Sequence, residues 1–267
     1  MGPAEAQRTG LDAGWVLALR RMISTRTGHR HSWEGLSGTE AGHATRLYAG
    51  WMASRVHTDR LRWWTFVAVT VPPLLLAGLG LTHPAELTGA SAGWWTTLHI
   101  LLVPLFPLLG VSHWILLHGR PGIIAWVGRV AAFLYIAFYA VTDHIAGIGN
   151  GVVMQRSGAA SMSERPEIDW MFDIANDVGG PGTSALALAA IATAIVTVRA
   201  GGRRAVFGAL LLVVSSVYFA IAGVHIYWPR GVFTMVAMAV AFGWLALTVP
   251  PYGIIRQETA VVSPASA

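Results

Sequence analysis

Residues 129–150, RVAAFLYIAFYAVTDHIAGIGN, are apolar for long enough to cross a bilayer, yet they carry Asp143 and His144 side by side in their second half. Ionisable side chains at membrane depth are costly and face a bundle interior, a cavity or a partner. The stretch therefore demands other polar groups opposite it, which other apolar segments have to supply.

The composition supports a membrane setting. Of 267 residues, 54% are hydrophobic and 12% charged, where soluble domains carry about a quarter charged residues. There is no cysteine, which excludes disulfides, cysteine-ligated iron–sulfur clusters and thiolate catalysis. There is no lysine either, which excludes Schiff-base chemistry and a retinal-type photoreceptor. All 18 basic residues are arginine, so the formal net charge of +5 is read by its placement beside spans and not as a nucleic-acid footprint.

The fold class expected is all-α, a polytopic integral membrane bundle. Residues 1–62 form a basic N-terminal segment, cytoplasmic or interfacial, with nine of the 18 arginines. Within it residues 11–23 read as a helix too short to span, and residues 39–64 as a second helix ending at the boundary pair Trp63-Trp64. The transmembrane domain is expected over 63–250, with about six spans at 64–81, 94–117, 124–149, 184–198, 205–227 and 232–249, followed by a polar tail at 251–267. Within the 150–183 loop, residues 164–178 read as a short amphipathic lid helix closed by Gly179-Gly180-Pro181-Gly182. Met171, Ile174, Ala175 and Val178 would form its apolar face, and Asp169, Asp173 and Asp177 an acidic stripe. With six spans, the N-terminal segment and the turns at 118–121 and 199–204 share one arginine-rich side. The positive-inside rule then puts both termini in the cytoplasm of what is expected to be a bacterial plasma membrane.

Four polar side chains fall at similar depth in the outer half: His99, Asp143, His144 and His225, with His83 in a turn above them. Imidazoles and a carboxylate converging from several helices suit a transition metal ion or axial ligation of a haem b iron. His99, His144 and His225 are the expected cofactor ligands, and Asp143 is a further metal ligand or the catalytic base. His99 and His113 lie 14 residues apart, on one helix face and roughly 21 Å apart. That spacing is similar to a paired-histidine helix of di-haem b-type membrane cytochromes. No second helix repeats it, since Val130 and Leu211 stand 14 residues before His144 and His225, so at most one haem is supportable. The glycines at 147, 149 and 151 permit close approach or unwinding after the Asp-His pair.

Three functional readings follow. The first is a membrane redox component holding haem b or a metal ion in the outer leaflet. The second is a metal-assisted hydrolase or transferase acting on a lipid or envelope substrate, with Asp143 or the acidic stripe as base. The third is a non-catalytic subunit or a proton or ion pathway. The expected partners are the bilayer, a lipid or quinone, and other membrane subunits, with no nucleic acid.

Overall fold

A computed structural model describes residues 38–223 and 225–250, with side chains from residue 59 onward. The helix expected at 11–23 and the tail at 251–267 lie outside the described residues. The chain divides into a unit of residues 1–55 and a unit of residues 56–267, and all side chains discussed belong to the second.

The described residues are helical, with α1 (Gly38–Gly80), α2 (Ala92–Leu116), α3 (Ile123–Thr142), a wide π-helical segment (Asp143–Gly149), α4 (Asn150–Ser157), α5 (Pro166–Gly201), α6 (Val206–Ile221) and α7 (Arg230–Thr248). Five stretches are long and apolar enough to cross a membrane, namely Asp59–Gly80, Ala92–Leu116, Ile123–Ser157, Pro166–Ile221 and Arg230–Thr248. The 56-residue stretch among them is broken after Gly201, where Gly202 takes a positive φ of 59°. It continues through a short 3-10 turn into α6, which packs back on α5.

Large apolar side chains cover the outside, including Ile123, Trp126, Leu210, Val214 and Phe233. A bundle whose solvent is lipid tolerates this surface, where water would not. Inside, Leu98, Leu102, Phe106, Tyr135, Leu212, Phe219, Met235 and Phe242 are fully or almost fully buried in one core. A smaller core of Leu87, Trp95, Met154 and Ile168 sits among the start of α2, α4 and the start of α5.

The two ends differ chemically. At one end arginines satisfy carbonyls that helix termini leave without partners. Arg62 donates to Leu247, Arg120 to Pro250, and Arg129 to Leu117 and, at 2.9 Å, to Arg120. Trp114 and Trp244 anchor this end by donating to the carbonyls of Arg129 and Arg204, each at 2.8 Å.

The separate lid helix does not form. Gly179-Gly180-Pro181-Gly182 lies inside α5, which runs unbroken from Pro166 to Gly201. The glycines are used for packing. A Cβ at Gly179 would stand 2.7 Å from Thr142 Oγ1, and one at Gly182 would stand 3.1 Å from Phe138 Cβ and from the Tyr139 nitrogen. Small residues bring α5 onto α3 closely enough for Thr142 Oγ1 to donate to the Ala175 carbonyl at 3.1 Å. Proline is tolerated in a membrane helix when its neighbours compensate. The buried face of the first turns is Ile168, Ala175 and Gly179, whereas Ile174, Asp169, Asp173 and Asp177 are exposed. At about 1.5 Å per residue α5 is roughly 54 Å long, well beyond a hydrocarbon core of about 30 Å.

Candidate metal centre

Three chain features bring the polar side chains together. The first is the widened segment Asp143–Gly149, where the third apolar helix changes from α to π geometry before returning to α at Asn150. Such insertions shift the phase of a helix and recur at functional sites. Here Asp143 is turned into the bundle and is 2% exposed. The second is Gly147, directly against His99: a Cβ there would stand 2.0 Å from His99 Cδ2. The third is the early end of α6 at Ile221. His225 therefore comes from the connection to α7 and not from a helix, and the fully buried Ile226 anchors that connection.

His83, from the connection between α1 and α2, completes the group. One ring nitrogen from each of His83, His99 and His225 lies within 4.8 Å of the other two. Asp143 Oδ1 is 4.0 Å from His99 Nε2 and 3.8 Å from His225 Nε2. These separations are too long for hydrogen bonds and leave the carboxylate beside the three imidazoles.

Every imidazole of the group has its Nδ1 engaged. His99 Nδ1–H donates to the Trp95 carbonyl at 2.7 Å, and His83 Nδ1–H to the Pro84 carbonyl at 2.8 Å. His225 Nδ1 shares a 2.8 Å hydrogen bond with the Tyr139 hydroxyl. A partner on Nδ1 sets the tautomer and reserves Nε2 for a metal. Nε2 of His83, Nε2 of His225 and Asp143 Oδ2 are buried with no hydrogen-bond partner. Buried polar atoms left without partners are costly, and three of them belong to residues of this group. Tyr139→Phe removes only the hydroxyl that orients His225. It is expected to weaken metal affinity about 10- to 100-fold, measured by competitive titration with a zinc indicator.

The ring packing is dense. Trp95 stacks on His99 at 4.9 Å between centroids, and His83 meets Tyr227 at 4.5 Å. Burial, opposed in part by the Pro84 hydrogen bond and reinforced by the His99 imidazole, pushes His83 down to about 4. Burial and the neighbouring imidazoles of His99 and His83 also hold His225 well below the ordinary histidine value. For His83 the folded value is below the 6.5 of the free side chain, so the unfolded chain binds the extra proton between those limits. In the metal-free protein this contribution is therefore complete above pH 6.5. On the order of 3 kcal/mol is lost as the pH falls toward 4. Thermal midpoints in detergent across that range are expected to fall with pH, and a flat profile would contradict the burial of a neutral His83.

The structure does not bring every expected residue into this group. His144 is exposed, and its Nδ1–H donates to the Ala140 carbonyl at 2.6 Å. Adjacent helical residues point about 100° apart, so turning Asp143 inward turns His144 outward. His113 is fully buried elsewhere, its Nδ1 2.9 Å from Thr193 Oγ1. The cluster contains His83 and not His144. The available sequence signal was its place just beyond the first apolar run, which puts it near the level of His99.

A cavity of about 300 Å³ adjoins the centre, with His99, Asp143 and His225 in its wall. His83 is not among the described residues of that wall, but its ring meets Trp95 and Tyr227, which are. No family model, curated protein or solved structure matches the chain. The class supported by fold and residues is a helical membrane bundle with a buried histidine cluster.

Proposed function

We propose that this chain is a six-span integral membrane protein that binds a divalent first-row metal such as zinc through His83, His99 and His225, with Asp143 beside the ion. The observation that carries this reading is the convergence of one ring nitrogen from each of three imidazoles within 4.8 Å, with Nδ1 of each ring engaged and Asp143 Oδ1 beside two of them. Three nitrogen ligands and one further position form the usual ligand set of a catalytic zinc site. With no cysteine in the chain, imidazole and carboxylate are the donors, which suits zinc and its first-row neighbours.

The ring packing favours an ion over haem b. His83 lies edge-on to both His99 and His225 at 5.2 and 5.3 Å, and Phe106 is 5.1 Å from His225. Those rings occupy the flat slot that a porphyrin between two axial imidazoles would need.

Counting α5 and α6 as separate spans makes six and puts both ends of the apolar domain on one side. The arginine turns share that side, which the positive-inside rule makes cytoplasmic. The metal centre then faces the outer leaflet. Elemental analysis of protein purified with and without added zinc tests the reading. About one zinc per chain, retained through dialysis, is expected, and no retained metal of any kind would overturn it.

A further inference from the structure

Resting on that metal reading, we infer that the centre is hydrolytic and that its substrate is an acyl ester of an amphipathic molecule entering from the outer half of the bilayer.

The argument begins with the asymmetry of the site. His99, His225 and Asp143 line the cavity, whereas His83 is not among its wall residues. An ion held by the three imidazoles would lie at the edge of the cavity, with Asp143 in the same wall. A structural zinc site is closed by four protein ligands, while a catalytic one keeps a position for water or substrate. Asp143 has the placement a base needs: Oδ1 lies beside the ligand nitrogens, and Oδ2 is buried without a partner.

The cavity wall selects the substrate. Phe172 and Phe219 give an apolar surface for a hydrocarbon chain, while Thr142 and Thr183 add hydroxyls. Among its described lining residues there is no arginine, which disfavours a phosphate group and leaves a neutral carbonyl as the fitting head. About 300 Å³ is at the small end of ligand pockets, which suits one short acyl chain. The exposed residues Asn176 and Gly180 of α5 lie in the same wall and give it a route to the outside.

The step balances without another reactant. A metal bound by the three imidazoles would supply Lewis acidity and lower the pKa of water. Asp143 accepts a proton from that water as its oxygen bonds to the acyl carbon. The carbon–oxygen ester bond then breaks, and Asp143 returns the proton to the leaving alkoxide, giving a carboxylic acid and an alcohol.

The test uses the full chain in lipid nanodiscs, with zinc content and hydrolysis of 4-methylumbelliferyl butyrate and octanoate measured on one sample. Expected are turnover abolished by a chelator and restored by zinc, and an Asp143→Asn variant that keeps about one zinc per chain while losing at least about 100-fold in kcat. Thr183→Trp, which fills the cavity from α5, should keep zinc and lose octanoate turnover. His144→Ala should change neither. Zinc bound at one per chain with no ester turnover overturns the hydrolytic inference and leaves the metal centre standing, whereas no bound zinc removes both. Undiminished turnover in Asp143→Asn, or loss of zinc from it, overturns the role of Asp143 as base.

Discussion

Replacing His99 by alanine is expected to lower zinc affinity by at least about 100-fold, whereas replacing His144 by alanine leaves it unchanged. The two histidines occur in neighbouring apolar helices at similar depth, and the sequence does not rank them. The structure separates them: His99 is 3% exposed, with Nε2 4.0 Å from Asp143 Oδ1, while His144 is exposed and bonded to its own helix. Structural zinc sites bind with about 10–16 kcal/mol in total. Losing one of three imidazoles from a comparable total removes about 3 kcal/mol or more, and every 1.4 kcal/mol is tenfold. His83→Ala and His225→Ala should behave like His99→Ala, because each supplies one nitrogen of the same group. Competitive titration with a zinc indicator reads the difference. Equal losses for His144→Ala and His99→Ala would sink the ligand assignment.

Gly147→Ala is expected to abolish stoichiometric metal binding and to destabilise the protein by about 1–3 kcal/mol, although it adds only one methyl group. The new Cβ would stand 2.0 Å from His99 Cδ2, 2.2 Å from Cγ and 2.6 Å from Cβ. Three successive atoms of one side chain are involved, so no single rotation relieves the overlap. The ring cannot turn away freely, because Nδ1–H is held by the Trp95 carbonyl at 2.7 Å and its face is stacked on the Trp95 indole. The cheapest relief moves α2 away from the π-helical segment, carrying the ring nitrogen out of reach of the other two. Gly78→Ala is the control, since a Cβ there meets nothing within 4 Å. An alanine in that helix should stabilise by about 0.5–1 kcal/mol. Thermal midpoints and zinc content of the two variants decide it, and a Gly147→Ala protein that binds zinc normally would show that the His99 slot is not needed.

The apolar runs and the depth of His99, Asp143 and His225 are legible in the sequence, because span length and hydrophobicity are additive along the chain. What decides the site is not additive. The inward turn of Asp143 and outward turn of His144 depend on helical phase, which the widening at Asp143–Gly149 resets. The glycines at 147 and 151 carry a hint of close approach, but not its target. His83 enters through an eleven-residue connection between α1 and α2, residues 81–91, whose path depends on tertiary contacts. The same limit applies to Gly179-Gly180-Pro181-Gly182. Locally it is a helix stop, yet packing of α5 on Thr142 and Phe138 keeps the helix intact through it. Tertiary contact outweighs local propensity there, as it commonly does.

X-ray absorption at the zinc edge of the metal-loaded protein is the most direct measurement of the centre. Three imidazole nitrogens at about 2.0–2.1 Å, with one further light donor, are expected. One imidazole should be lost in the His83→Ala protein and none in the His144→Ala protein. A spectrum with fewer than three imidazoles, or one unchanged by His83→Ala, would contradict the three-histidine centre.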